Sequence, residues 1–141
     1  MKALLRLWIR VLRWLRPPLG RRGETLAARH LKRLGYLIVA KGRRSDMGEL
    51  DLVAVDGRTV VFVEVKTRRS DQAGAPAEAV TATKQRRLAR LALAFLRRHD
   101  LLEHSSRFDV IAITWPLGRA KPILEHIQNA FEPPGKGQMF T

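Results

Sequence analysis

The sequence predicts an α/β fold in which a mixed β-sheet is flanked by helices, and three observations predict it. Apolar residues recur at steps of three and four in two separate segments, the mark of helices with one buried stripe. Short runs rich in Val, Ile, Leu and Phe lie between and after those segments, bounded by Gly, Asp and Pro. The resulting order, α, β, β, β, α, β, β, suits one sheet that needs helical cover. A chain of 141 residues has room for one such domain with a real core.

Residues 1–16 stand apart. Leu4, Leu5, Leu7, Trp8, Ile9, Val11, Leu12, Trp14 and Leu15 alternate with Lys2, Arg6, Arg10, Arg13 and Arg16 at helical steps. The segment is shorter than a bilayer-spanning helix, is repeatedly broken by arginine, and has no small-residue cleavage site after it. Such a helix could lie on an anionic membrane surface, touch a phosphate backbone, or fold back on the domain. Arg16-Pro17-Pro18 ends it, because proline restricts its predecessor and removes backbone donors.

From Gly23 to Leu34, the positions Ala27, Leu31 and Leu34, with Ala28 beside them, describe a helix that Gly35 suits as C-terminal cap. Tyr36 to Ala40 is a short β-prone run, and Lys41 to Gly48 reads as a polar, basic loop with Gly42 and Gly48 as turn residues. Glu49 to Val55, Asp56-Gly57, then Arg58 to Lys66 is the clearest hairpin signal, since Asp-Gly fits turns that match strand twist. Arg68 to Ala75 reads as a loop. A helix then begins between Pro76 and Lys84 and runs to about Arg98, with Val80, Leu88, Leu91, Ala92 and Phe95 as its buried stripe. Phe108 to Thr114 and Pro122 to Ile127 supply the last strands, and the Pro133-Pro134-Gly135 tail is loose. The chain thus divides into a basic amphipathic extension (1–19), one domain (20–131) and a flexible tail (132–141).

Composition narrows the partners. Lysine and arginine number 27 against 13 acidic residues, a net charge of +14, which favours nucleic acid or an anionic membrane but fixes neither fold nor chemistry. With no cysteine, disulfides, thiolate zinc sites and cysteine nucleophiles are excluded, and a reducing cytoplasmic setting fits. His30, His99, His104 and His126 lack the close spacing of zinc ligands.

The chemistry concentrates in the hairpin. Side chains alternate along strands, so Glu49, Asp51, Val53 and Val55 should share one face, with Leu50, Leu52 and Ala54 on the other. On the partner strand Phe62, Glu64 and Lys66 share a face opposite Val61, Val63 and Val65. A two-residue Asp56-Gly57 turn would pair Val55 with Arg58, setting Asp51 opposite Phe62, Glu49 opposite Glu64, and Asp51 diagonal to Glu64. Glu49, Asp51, Glu64 and Lys66 then form one patch. Facing carboxylates repel, and a divalent cation relieves them; Mg2+ takes oxygen ligands, keeps several waters and is commonly held by one or two carboxylates plus phosphate oxygens. Lys66 could then orient or help deprotonate an attacking water and stabilise charge on the phosphate. The competing reading pairs Glu49 and Glu64 with arginines on an open sheet face, but the Val, Leu and Phe content of both strands argues for burial.

Gly48-Glu49-Leu50-Asp51-Leu52-Val53 followed by Val61-Phe62-Val63-Glu64-Val65-Lys66-Thr67-Arg68 resembles the YraN-like family of bacterial proteins, assigned to the PD-(D/E)xK nuclease superfamily. Arg22-Gly23-Glu24 with Ala27 and Ala28, Leu34-Gly35-Tyr36, the Ala79-Val80 to Lys84-Gln85 region, Arg107-Phe108-Asp109-Val110 and Ile127-Gln128-Asn129-Ala130-Phe131 extend the likeness over residues 20–131. The resemblance implies a restriction-endonuclease-like fold, with Asp51 as the motif aspartate, Glu64 as the second metal ligand and Lys66 as the catalytic lysine. Glu24 matches the acidic residue that Holliday-junction resolvases of the superfamily carry on their first helix; a first-turn carboxylate favoured by the helix dipole is its other reading. The proline that names the superfamily is absent, since Leu50 precedes Asp51, as in the family resembled.

The expectation is therefore a nuclease dependent on Mg2+ or Mn2+ that hydrolyses phosphodiester bonds in DNA, branched or damaged DNA included. Asp51, Glu64, Lys66 and Glu24 are its catalytic candidates, and Asp51, Glu64, Glu24 and Glu49 its metal ligands. Arg43, Arg44, Arg68, Arg69, Lys84, Arg86 and Arg87 are candidates for phosphate contacts, which position a duplex without reading its sequence. Lys84 and Gln85 could also assist at the site or simply start a solvated helix, while Asp109 fits a role in strand or loop structure better than metal binding. Cutting a junction would require two sites and hence a homodimer. The alternatives are a catalytically silent nucleic-acid-binding module and a membrane-surface adaptor recruited through residues 1–16.

Overall fold

The computed structural model describes residues 19–70, 80–118 and 121–132. The amphipathic helix expected over residues 1–16, the expected tail after 132 and the part of the expected loop at 71–75 lie outside them. The described elements are α1 (Leu19–Arg33), β1 (Leu37–Ser45), β2 (Gly48–Asp56), β3 (Thr59–Arg69), α2 (Ala82–Arg98), β4 (Ser106–Trp115) and β5 (Ile123–Ile127). Five strands form one mixed sheet in the order β1-β2-β3-β4-β5, antiparallel except for the parallel pair β3–β4. A parallel pair needs a crossover connection, and α2 lies within it. The architecture is the α/β one expected, a mixed sheet flanked by helices and consistent with a restriction-endonuclease-like fold.

Each sheet face has its own core. Ala27, Ala28 and Leu31 of α1 pack on Tyr36, Leu52, Ala54, Val61, Val63, Ile111 and Ile113. Leu88, Leu91, Ala92, Phe95 and Leu96 of α2 pack on the opposite face against Val53, Phe62, Phe108 and Val110. Burying each Leu, Ile or Phe on these faces contributes roughly 1.5–3 kcal/mol. α1 ends as its sequence suggests: Gly35 adopts a φ of 89°, Tyr36 N donates to the Leu31 carbonyl and Gly35 N to that of Lys32, the paired bonds of a Schellman cap. α2 starts at an N-cap, where the Thr81 hydroxyl accepts from Lys84 N. Val80, expected in the helical stripe, is buried but precedes that cap. No helix among the described residues is long and apolar enough to cross a membrane.

The structure corrects the sequence reading in four places. Lys41 to Ser45, expected as loop, continue β1, an edge strand on which Lys41 and Arg44 remain exposed as edge strands tolerate. Arg68 and Arg69, also expected in a loop, extend β3 alongside Thr114 and Trp115. The hairpin register differs by two: Asp56 pairs with Thr59 and Val53 with Phe62, so the central turn residues are Gly57 and Arg58 rather than Asp56 and Gly57. Gly57, with φ 61°, occupies the first central position, where a type II′ loop favours glycine. Finally, strict alternation fails at Asp51. Leu50 packs on the α2 side although Leu52, two residues on, packs on the α1 side.

Candidate active site

The break at Asp51 has a local cause. The β2–β3 ladder stops at Leu52↔Val63, and beyond it Val65 N donates to Asp51 Oδ2 at 2.8 Å instead of to a β2 carbonyl. The strands fork there, and side chains from four elements converge on the opening. Asp51 and Glu49 come from β2, Glu64 and Lys66 from β3, Glu24 from α1 and Lys84 from α2. Gly23 makes the α1 contribution possible, because the helix backbone there lies directly against Thr67 of β3 and leaves no room for a side chain. Lys84 reaches the opening because the Thr81 cap anchors the first turn of α2 beside β3. Gln85 Nε2 donates to the Val80 carbonyl, steadying that same entry to the helix rather than being solvated.

Among the described residues, Glu24, Glu49 and Asp51 can each offer one oxygen such that all three lie within 4.8 Å of one another. Glu64 is not in that trio. Its Oε1 lies 3.3 Å from Lys66 Nζ and 3.6 Å from Lys84 Nζ, with the carboxylate only 11% exposed. Asp51 is pushed up to about 7, first by burial and then by the Glu64 charge; the Val65 N–H opposes the rise. Glu24 is raised by burial and by Glu49, with Arg21 opposing. Burial disfavours the charge on Lys66, yet hydrogen bonding to Lys84 and the charges of Glu64 and Asp51 together raise its pKa. Lys84 moves the other way, lowered first by its hydrogen bond with Lys66 and then by burial. Of the two amines beside Glu64, Lys66 holds its proton more tightly.

Of the other candidates, Arg44 reaches the cluster, and Arg68, Arg69, Arg86 and Arg87 are spread over β3 and α2. Arg44 is exposed and pairs with Glu49 at 3.4 Å. Arg68 Nε donates to Thr114 Oγ1, Arg69 is exposed on the last rung of β3, and Arg86 and Arg87 are exposed on α2. The Arg43 side chain lies outside the described residues. Lys84, read both as a phosphate contact and as a residue that could assist at the site, lies in the cluster at Glu64.

Two arrangements are not specified by the sequence, although it singles out both residues, Gly42 as a turn residue and Asp109 as structural. Gly42, on β1 opposite the opening, has φ 54°, and a Cβ there would stand 3.4 Å from Glu49 Oε1. The second is a buried network organised by Asp109, which is fully buried: it accepts from Arg107 Nε at 3.0 Å and from Asn129 N at 3.0 Å and lies 2.8 Å from His126 Nε2. Arg107 also donates to Asp56 and to the Tyr36 hydroxyl, and His126 Nδ1 lies 3.1 Å from His30 Nε2 on α1. Asp109 thus ties β4, β5 and α1 together and supports structure, the role its sequence context favoured.

The sequence profile described as "Uncharacterised protein family UPF0102" matches residues 23–113, a span that contains Glu24, Glu49, Asp51, Glu64, Lys66 and Lys84. The chain is similar to a UPF0102 protein of Geobacter sulfurreducens, 54% identical over 114 residues that cover 81% of this chain and 88% of the relative. It is 48% identical to one of Nocardia farcinica over 80% of this chain and 88% of that protein. A UPF0102 protein of Rhodopirellula baltica is 43% identical over 86% of this chain and 75% of its own length.

Proposed function

For this chain, which belongs to the uncharacterised protein family UPF0102, we propose the function of a metal-dependent nuclease that hydrolyses DNA phosphodiester bonds. The observation that carries this reading is the convergence, at one strand fork, of four carboxylates (Glu24, Glu49, Asp51, Glu64) and two lysines (Lys66, Lys84) supplied by four elements. Glu64 is paired with Lys66 and Lys84 and Glu49 with Arg44, whereas the pKa values of Asp51 and Glu24 are raised, first by burial and then by neighbouring carboxylates, a setting in which a bound cation would be favourable. All the donors are hard oxygens, which fits Mg2+ or Mn2+ and fits softer metals poorly.

Glu24, Glu49 and Asp51 would hold the ion, with Glu64 adjoining Asp51 as a further ligand. Bound there, it would supply Lewis-acid polarisation of a phosphoryl oxygen and a more acidic water. Lys66, whose pKa is raised against burial by Lys84, Glu64 and Asp51, would place an ammonium where negative charge grows on the phosphorane-like transition state. Lys84 keeps Lys66 and Glu64 in register by sharing the same carboxylate oxygen. The net charge of +14 draws the polyanionic substrate toward the site and makes binding salt-dependent.

The test is incubation with labelled linear duplex, single-stranded, flap and four-way-junction DNA, with Mg2+, Mn2+ or EDTA, for wild type, Asp51→Ala and Lys66→Ala. The proposal expects cutting that needs the metal and is lost in both variants. Absence of cutting by wild type on every substrate, alongside salt-sensitive binding that neither substitution changes, would replace it with a noncatalytic binding module.

A further inference from the structure

α1 presents a second face, rich in arginine, next to the carboxylates. Arg21, Arg22, Thr25, Leu26 and Arg29, spaced at three and four residues, form one stripe over two turns. With Trp115 at the end of β4 and Pro122 just before β5, they line a groove of about 540 Å³. The Arg22 guanidinium lies 4.4 Å from the centroid of the Trp115 ring, and the buried indole N–H of Trp115 has no partner among the described residues. The lining offers three guanidiniums and an apolar floor of Leu26, Trp115 and Pro122, with no acidic residue among those described.

That pairing selects a ligand with an anionic part joined to a flat apolar part. A nucleotide unit has both, and the groove falls within the roughly 300–1,000 Å³ range of small-ligand sites. A duplex presents phosphates and sugars on its outside while its bases stay stacked inside, so it would engage the arginines and leave the apolar floor bare. An unpaired base would cover that floor, the arrangement by which proteins hold single strands on aromatic platforms flanked by cations. The groove also adjoins the proposed active site. β3 carries Glu64 and Lys66 and then runs to Arg69, the ladder partner of Trp115, and the Arg21 charge is felt at Glu24.

We propose that this groove binds an unpaired nucleotide of the DNA substrate, with phosphate oxygens on Arg21, Arg22 and Arg29 and the base against Leu26, Trp115 and Pro122. Its role as part of a cleavage substrate rests on the nuclease reading; binding to the groove does not. The substrate class that follows is DNA with a single-stranded segment beside the cleaved bond.

The full-length Trp8→Phe/Trp14→Phe variant leaves Trp115 as the only one of the chain's three tryptophans, so its emission reports on the groove alone. Titrating this protein in EDTA with an octathymidylate strand should quench that emission saturably. Arg29→Glu, an exposed position whose change does not threaten the fold, should weaken the apparent affinity about tenfold or more, and Arg29→Lys should restore most of it. Four results would overturn the proposal: no change in emission, equal quenching by a duplex of the same length, equal quenching by phosphatidylglycerol vesicles, or quenching only after removal of residues 1–16, which would mean that segment occupies the groove. Because metal is absent, the outcome separates from catalysis. Cutting without quenching removes the groove and keeps the nuclease, while quenching without cutting by any metal does the reverse.

Discussion

Replacing Gly23 with alanine tests how α1 brings Glu24 to the fork. A Cβ there would stand inside contact distance of Thr67 Cγ2, while Val65 Cγ1 and Ile113 Cδ1 would stay at an ordinary 3.6 Å. The conflict is therefore with one methyl group. Overpacking a well-filled site costs about 1–3 kcal/mol, and so close an approach belongs in the upper half of that range. Alanine in place of glycine inside a helix returns about 1 kcal/mol. Gly23→Ala should then destabilise by about 1–2 kcal/mol net. Thr67→Ser deletes the offending methyl, and in that background the same change should be neutral or stabilising by up to about 1 kcal/mol. A double-mutant cycle in urea denaturation should give a coupling of about 2 kcal/mol. Because relief of the clash by moving α1 also moves Glu24, metal-dependent cutting should fall in the single variant and recover in the double. Equal cost of Gly23→Ala in the two backgrounds would refute the reasoning, since the close approach would then not be what sets the helix position.

Asp51 is pushed up to about 7 from its ordinary 3.8; a raised folded-state value means a contribution complete below the unfolded value and lost as pH rises through the folded one. Melting temperature in EDTA should therefore fall between about pH 4 and 7 by more in wild type than in Asp51→Asn, and Mg2+ should recover it above pH 7 only in wild type; parallel profiles would contradict this. His30 is lowered from 6.5 by burial, then by His126 and Arg33, so its contribution is present above 6.5 and lost as pH falls through the lower folded value. His30→Gln should flatten the decline of melting temperature on the acid side of 6.5, and an unchanged decline would show that the histidine pair does not set it. Asp109→Ala removes the carboxylate that Arg107 and His126 share, and breaking a buried pair of this kind should cost about 3–5 kcal/mol in chemical denaturation; a loss below about 1 kcal/mol would show that the network does not organise this end of the sheet.

How much of this was legible depends on whether the controlling interactions are local. α1 and its cap could be read because Ala27, Leu31 and Gly35 answer to helical spacing and backbone conformation alone. The hairpin was legible as a hairpin, but Asp56 pairs across to Thr59 instead of entering the turn, which shifts the register by two. A shift of two preserves the face of every residue, so Glu64 and Lys66 lie on the side expected. The ladder also ends at Leu52↔Val63, so Asp51 and Glu64 stand at the fork rather than in the diagonal pairing expected. The break in alternation at Asp51 was not legible, since it arises from a carboxylate taking the Val65 N–H fourteen residues away. β1 was cut short because Lys41, Gly42, Arg43 and Arg44 have the composition of a loop, and only pairing with β2 makes them an edge strand. Lys84 could be read as a phosphate contact or as assisting at the site, because its spacing says nothing of Glu64 on β3, and the groove at Trp115 needs α1, β4 and the residue before β5 together. Glu24 entered by resemblance; its approach to Asp51 is a consequence of Gly23 against Thr67.

The most direct test of the central claim is single-turnover hydrolysis of one end-labelled DNA strand carrying both paired and unpaired segments, by wild type and by the isosteric Asp51→Asn variant purified in parallel. The account predicts product formation by wild type only with Mg2+ or Mn2+, and a loss of at least about a hundredfold in the variant. Hydrolysis of equal rate in both proteins, or equal in EDTA and in metal, would contradict it.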